Sequence, residues 1–356
     1  MKKKVLVAMS GGVDSSVAAY LLRQTTEAAG VTFQLFAAED NEKKSRKDYC
    51  SPSDIEDARK VAERLEMPHY VFNLTESFYD QVILRFAQAY QRGITPNPCV
   101  DCNRYIKFNG LWQCAQQIGF DYLATGHYAR VEFDDESGRY LLKRSLDEFK
   151  DQSYMLYTMT QKILSKTLFP LGNLRKNQVR EIADQQGFIN AYKPDSQDIC
   201  FVKDGDYSGY LENVLGIESS AGDFIDQSGQ VLGRHKGLFH YTVGQRKGLN
   251  LSFGEPKYVI ALNQEDNTVT LGSKNELLRS SLVADDVNLI AIEKLVEPLT
   301  VTVKTRYRQT DIPAIIKPLD KGQILVEFAE PQQAVSPGQA VVFYRGETVV
   351  GGGTIL

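Results

Sequence analysis

Residues 5–9 form a short, wholly apolar run, and the chain continues as Ser10-Gly11-Gly12-Val13-Asp14-Ser15-Ser16. This junction limits the fold more than any other stretch. An apolar run without alternation fits a strand buried on both faces. Two glycines then permit a tight backbone turn, and Val13, Val17, Tyr20 and Leu21 share one side of the helix that follows. Such a turn aims several N–H groups at one spot at the positive end of a helix dipole. The hydroxyls of Ser10, Ser15 and Ser16 add hydrogen-bonding capacity, so the spot suits a phosphate. No G-x-x-x-x-G-K-[ST] string occurs in the chain, which excludes a Walker-type site.

Strand and helix patterns keep alternating. Stretches 30–36, 69–74 and 122–125 read as strands. Ser53-x-x-Glu56 is a capping box that opens a helix with an Ile55, Ala58, Ala62, Leu65 stripe. Phe78, Val82, Phe86 and Tyr90 mark another helix, ended by Gly93, and Leu111, Ala115 and Ile118 a third. Alternation of this kind predicts a parallel sheet wrapped by helices, with ligands beyond the carboxyl ends of the strands. After about residue 205 the text becomes β-rich. Short runs at 258–262, 268–271, 299–303, 314–316, 324–328 and 340–344, separated by turn residues, predict a small barrel or sandwich.

A chain of 356 residues is long for one core, so two or three domains are expected. No apolar run approaches the roughly 20 residues of a membrane span. The apolar stretch after the basic start is too short for an export signal, so the expected location is the cytoplasm, with no membrane partner. The net charge of −4 opposes a nucleic-acid partner for the molecule as a whole, although local basic patches can outweigh it.

Five cysteines are sparse for this length, and in a chain that is not secreted they stay reduced unless they do chemistry. Cys99 and Cys102 lie in Thr95-Pro96-Asn97-Pro98-Cys99-Val100-Asp101-Cys102-Asn103, which two prolines keep irregular, ahead of a helix expected to start near Arg104. Arg104, Lys107 and the helix start should favour a Cys102 thiolate. Half of a zinc site is the alternative, but C-x-x-C does not recur. Cys200, in Asp195-Ser196-Gln197-Asp198-Ile199-Cys200-Phe201, reads alone as a packing residue and gains weight as a second loop cysteine. Cys50 and Cys114 read as non-catalytic, Cys114 as core.

The string S-G-G-V-D-S-S resembles the pyrophosphate loop of the N-type ATP pyrophosphatases, which leave AMP on an oxygen of their substrate. The motifs N-P-x-x-x-C-N (97–103), A-T-G-H-Y (124–128), K-D-Q-S-Y (150–154), D-S-x-x-I-C-F (195–201), G-Q-R-K-G-L (244–249), R-Y-R-Q (306–309) and S-P-G-Q-A-V-V-F-Y (336–344) follow in order. Their sequence is similar to that of the tRNA-specific 2-thiouridylases along nearly the whole chain. The resemblance implies an α/β fold with a Rossmann-like parallel sheet over 1–205, a small central β-rich domain over 206–280 and a C-terminal β-barrel over 281–356.

It also implies roles. Ala8, Met9, Ser10, Gly11, Gly12, Val13, Asp14, Ser15, Phe33 and Gly126 would surround ATP, with Mg2+ held in part by Asp14. Asn97, Pro98 and Cys99 would meet the target base, the wobble uridine of a tRNA anticodon stem-loop. His127, Lys150, Asp151, Gln152, Arg306, Tyr307 and Gln339 would touch tRNA. Cys200 would carry a persulfide delivered by a sulfur donor such as a cysteine desulfurase or a sulfur-relay protein, and Cys102 would be the second catalytic thiol. Lys304, Arg306 and Arg308 alternate, which predicts one basic face of a strand.

Two positions depart from the family pattern. Phe33 stands where an ATP-contacting Met is usual, and Cys99 where many members have Asp. Cys99, Cys102 and Cys200 therefore make an alternative ligand set for a 4Fe–4S cluster with one open iron position. Two other functions compete. An ATP-dependent amide or guanidine synthetase would use the same loop without Cys102 or Cys200, and a tRNA-binding protein without catalysis would need neither.

Overall fold

The computed structural model describes residues 2–36, 52–195, 199–202 and 205–356. Cys50, Ser196, Gln197 and Asp198 lie outside the described residues. β1 (Lys4–Ala8), α1 (Val13–Arg23), β2 (Glu27–Gln34), α2 (Pro52–Arg64) and β3 (His69–Asn73) open the chain. One helical stretch combines α3 (Thr75–Phe78), a π-helical segment (Tyr79–Leu84) and α4 (Arg85–Gln91). The next combines α5 (Pro98–Asp101), a π-helical segment (Cys102–Gly110) and α6 (Leu111–Gln117). After β4 (Tyr122–Ala124) come the hairpin β5 (Arg130–Asp134) and β6 (Arg139–Lys143), then α7 (Gln161–Leu164), β7 (Thr167–Leu168), α8 (Lys176–Gln185) and α9 (Tyr207–Asn213).

The first sheet has the order β3-β2-β1-β4-β7, and its pairs are parallel. Val5, Leu6 and Val7 of the central β1 are fully buried. Each such side chain contributes about 1.5–3 kcal/mol by leaving water. Val5 and Val7 pack with Val17, Ala58 and Val179 on one side, and Leu6 packs with Leu111, Cys114 and Leu123 on the other. The chain runs from β1 through β2 to β3 on one side and returns to β4 on the other. A crevice therefore opens between the carboxyl ends of β1 and β4, the place where sheets of this kind bind ligands.

Two boundaries differ from expectation. The second strand begins at Glu27 and includes Ala28, Ala29 and Gly30, small residues that carry little strand signal. A side chain at position 30 would come within 2.5 Å of the Met9 sulfur, so packing requires the glycine. The helix expected near Arg104 begins at Pro98. Proline at the first helical position loses no hydrogen bond, so this proline starts the helix and does not break it.

β8 (Gly222–Ile225), β9 (Val231–His235), β10 (Tyr258–Asn263) and β11 (Thr268–Gly272) form a second sheet around Phe224, Tyr241, Val259 and Leu271. β12 (Leu278–Leu289), β13 (Leu299–Lys304), β14 (Ile312–Pro318), β15 (Ile324–Gln333), β16 (Ala340–Arg345) and β17 (Thr348–Ile355) follow in the third. The order β12-β15-β14-β13-β16-β17 is closed by a β12–β17 pairing, which makes a barrel as the β-rich text implies. The β5–β6 hairpin extends this sheet through Thr348 opposite Lys143, although it lies within the first half of the chain.

The expected basic strand face does not form. β13 stops at Lys304, where the Thr305 N–H and hydroxyl both donate to the Gln309 side-chain carbonyl at 2.9 and 2.8 Å. Arg306, Tyr307 and Arg308 therefore occupy a turn, and Lys304 points instead toward Asp311 and the Tyr344 ring. Among the described residues no helix is long and apolar enough to cross a membrane.

Candidate functional site

The loop between β1 and α1 is self-supporting. Ser15 Oγ donates to the Gly12 carbonyl at 2.9 Å and accepts from the Ser10 N–H at 3.1 Å. Gly12 caps the helix with its backbone extended, which leaves the first-turn N–H groups pointing outward. Gly11 has φ +71°, and a side chain there would reach within 2.4 Å of the Asp54 carbonyl. Gly126, just beyond β4, lies against this loop so closely that a Cβ would be 2.7 Å from the backbone of Asp14 and Ser15. The loops after β1 and β4 thus share the crevice. Phe33 is half-buried near the end of β2, while Met9 and Val13 are buried and hold the loop from beneath.

A chain of charges surrounds the loop. The Asp14 carboxylate accepts from Tyr128 Oη at 2.8 Å and from Lys176 Nζ at 2.7 and 2.8 Å. Lys176 also pairs with Asp195 at 2.7 Å, and Asp195 pairs further with Lys150 at 2.7 Å and Arg180 at 3.1 Å. Partial burial pushes the Asp195 carboxyl up, but the hydrogen bonds and charges of Lys150 and Lys176 together outweigh it and hold the group below its ordinary value. Lys193 reaches Asp54 at 2.6 Å and Asp57 at 2.8 Å, and Asn190 donates to the Gly11 carbonyl and to Ser16 Oγ, both at 2.9 Å. Sequence reasoning missed Tyr128, Lys176, Arg180, Asn190 and Lys193 as supports of the loop. Tyr128 lies within a quoted motif and Lys193 just before one, whereas Lys176, Arg180 and Asn190 carry no such signal.

The thiols lie on the neighbouring helix. Cys102 is 8% exposed, in an apolar cluster with Phe78, Phe86 and Ile106, and half-buried Cys200 packs against that same cluster. Phe201 anchors the Cys200 segment there, with its ring 5.2 Å from Phe86 and 5.9 Å from Phe78. The structure thus brings the two cysteines to one cluster. It does not favour a Cys102 thiolate. Burial pushes this thiol up to about 11, and Lys107 only partly offsets it. Arg104 does not help, because its guanidinium makes a two-pronged pair with Asp286 of the barrel. The Cys99 thiol is also pushed up by burial and lowered in part by Lys107. The same lysine acts on His127, which links the thiol helix to the loop after β4. Cys114 is buried in the core beneath the sheet, as expected.

The residues expected to touch tRNA also make contacts within the protein. His127 is 8% exposed, stacks near Phe108 and Phe169, and shares a 2.7 Å hydrogen bond with Thr125. Burial holds its imidazole well below the ordinary value, and the Lys107 charge adds to this. Asp151 is equally enclosed and accepts from the Ser145 N–H and the Ser153 hydroxyl. Gln152 accepts from the Tyr128 N–H at 2.9 Å, Lys150 holds Asp195, and Gln339 donates to the Thr95 and Pro96 carbonyls at 3.0 and 3.1 Å. These internal hydrogen bonds cannot be read from a motif string.

Asn97 caps α5, and its amide approaches the Met155 sulfur at 3.8 Å. Pro98 is buried and Tyr307 half-buried, with burial holding the Tyr307 phenol up to about 12. Beside this loop lies a cleft of about 410 Å³ lined by Thr95, Gln245, Arg306, Ser336 and Gln339 among others, so three of the recognised motifs meet the Asn97 loop there. Among the described residues no three His, Cys, Asp or Glu side chains are grouped to hold a metal ion. Cys99, Cys102 and Cys200 are therefore not gathered as cluster ligands in this structure.

Comparisons with known proteins agree with this layout. Residues 3–204 match a domain family described as tRNA methyl transferase HUP domain, 208–273 a tRNA methyl transferase PRC-barrel domain, and 279–355 an aminomethyltransferase β-barrel domain. The tRNA-specific 2-thiouridylase MnmA of Acetivibrio thermocellus is 49% identical, with 99% of each chain covered. That of Clostridioides difficile is 48% identical over 100% of this chain and 98% of its own. That of Heliobacterium modesticaldum is 51% identical over 100% of this chain and 93% of its own. With relatives about half identical along its full length, this chain belongs to the tRNA-specific 2-thiouridylase family.

Proposed function

We propose that this chain replaces the C2 oxygen of the wobble uridine of tRNA with sulfur. It first uses ATP to adenylate that oxygen. The observation that carries the reading is two cysteines on one apolar cluster, Cys102 and Cys200 with Leu35 and Phe36 beyond the end of β2, at the same end of the sheet as the loop that follows β1. Methyl transfer, the chemistry in the domain names, needs neither thiol.

The geometry supports a sequence of steps. The outward N–H groups of the Ser10–Ser16 loop and the start of α1 receive the phosphates of ATP. Asp14, as a carboxylate beside them, suits Mg2+, which would neutralise pyrophosphate charge there. The uridine C2 oxygen attacks the α-phosphorus, and pyrophosphate leaves. A wobble base lies in a single-stranded loop, so it enters the site without opening a duplex. Cys200 holds the incoming sulfur as a persulfide supplied by a cysteine desulfurase or sulfur-relay protein. The terminal sulfur replaces AMP at C2, and Cys102 breaks its bond to Cys200. Sulfane sulfur gains two electrons from the two thiols, which become a Cys102–Cys200 disulfide. Apolar residues around Cys102 and Cys200 limit water at the sulfur. Residues 1–205, 206–280 and 281–356 would act as catalytic, central and tRNA-holding units, with Arg306 and Tyr307 in the turn beside the cleft as tRNA contacts.

The test is incubation with tRNA, ATP and a sulfur source, followed by electrophoresis in a mercury-containing gel that retards thiolated RNA. Retardation that needs ATP, Cys102 and Cys200 is expected. Pyrophosphate release without retardation, stimulated by ammonia or an amine, would identify a synthetase instead.

A further inference from the structure

Cys99 and Cys102 stand one helical turn apart at the start of α5. The Cys102 N–H bonds back to the Cys99 carbonyl, so the pair has helical spacing and shares one face. At that spacing the Cβ atoms are about 5–6 Å apart, while a disulfide needs about 3.5–4.5 Å. Closing the difference needs a local shift of the first turn, at the expense of the Cys102 N–H bond to the Cys99 carbonyl. Cys99 is placed differently from the other described cysteines. Cys102, Cys114 and Cys200 all belong to or pack on apolar clusters, whereas Cys99 is half-buried and appears in none of them. Cys99 and Cys102 are both free thiols in this structure.

We propose that Cys99 is a resolving thiol that takes over the disulfide left by sulfur transfer. The proposal rests on the thiolation reading above. Transfer leaves Cys102 bonded to Cys200. The Cys99 sulfur attacks the Cys102 sulfur, the Cys102–Cys200 bond breaks, and the proton of Cys99 passes to the departing Cys200 sulfur. One disulfide replaces another, so no oxidant or reductant is consumed in this step. Cys200 is returned at once to accept the next sulfur. The disulfide then joins Cys102, still on the apolar cluster, to half-buried Cys99, and a small dithiol or a dithiol protein reduces it there.

The experiment uses the full chain loaded with persulfide by inorganic polysulfide. It is mixed with tRNA, ATP and magnesium without reductant and quenched in acid. Free thiols are alkylated, and disulfides and thiouridine are read by mass spectrometry. In the wild type the expected product is a Cys99–Cys102 crosslink with Cys200 alkylated. In Cys99→Ser and Cys99→Ala that crosslink is lost and Cys102–Cys200 takes its place. A wild type that forms thiouridine and retains Cys102–Cys200, with Cys99 alkylated, overturns the resolving role and leaves the thiolation reading standing. Absence of both thiouridine and disulfide overturns both. The wild-type sample decides the matter even if the variants fail to fold.

Discussion

The ammonium of Lys176 donates to both carboxylate oxygens of Asp14, at 2.7 and 2.8 Å. It also pairs with Asp195 at 2.7 Å, so one cation joins the phosphate loop to the segment that leads to Cys200. Lys176→Met would leave two neighbouring carboxylates without their shared cation. Charged hydrogen bonds of this kind contribute about 1.5–3 kcal/mol each, so tRNA-dependent pyrophosphate release should fall at least about tenfold. Lys176→Arg should recover part of it. Release at the wild-type rate in Lys176→Met would show that this bridge is idle.

Adenylation should also fail in Gly11→Val and Asp14→Ala. A valine at position 11 meets the Asp54 backbone and cannot easily adopt a positive φ. Asp14→Ala removes the carboxylate beside the phosphates and leaves Lys176 with Asp195 alone. Pyrophosphate release is again the measurement, and normal release by both variants contradicts the assignment of the loop.

Arg306→Glu should weaken tRNA binding and leave ATP binding intact. The side chain borders the cleft beside the Asn97 loop and donates to the Ala334 carbonyl. Loss of one phosphate contact lowers the slope of log affinity against log salt by about 1. An unchanged slope would remove Arg306 from the tRNA surface.

Cys200→Ser should lose protein-bound labile sulfur, whereas Cys102→Ser should keep it and form no thiouridine. With excess dithiol, Cys99→Ser should still thiolate tRNA. If Cys99→Ser is inactive and the wild type, purified without oxygen, carries about four irons per chain, the three cysteines are cluster ligands and the persulfide scheme is wrong.

His127 makes stability depend on pH. Burial holds its folded-state imidazole well below the ordinary value, so below about pH 6.5 the unfolded chain binds a proton that the folded chain does not. Stability therefore falls as pH drops through that range, by up to about 1.4 kcal/mol per pH unit for this group. His127→Gln should show a shallower loss between pH 7.5 and 5.5 in urea unfolding. Identical slopes would mean that His127 titrates normally.

The parallel sheet and the barrel strands were legible because apolar runs and turn residues report burial directly. So was the phosphate loop, because the full Ser10–Ser16 string follows a buried strand and opens a helix. The charge relay of Lys176, Asp195 and Lys150 was not legible. It depends on long-range approach of residues whose local text looks like an ordinary helix start and an ordinary loop. The Cys102 thiol was misjudged for a related reason. Nearby lysine and arginine are visible in sequence, but the aromatic cluster around the sulfur and the diversion of Arg104 to Asp286 are not.

The β5–β6 hairpin also has a consequence for how the protein is made. Lys143 is synthesised long before Thr348, its partner in the last strand of the barrel. Until β17 emerges from the ribosome, β6 presents an open edge and the barrel lacks the strand that joins β16 to β12. Exposed edges of this kind invite pairing with other chains. Synthesis that stalls before β17 should therefore yield an aggregation-prone product even though the nucleotide-binding sheet is already complete.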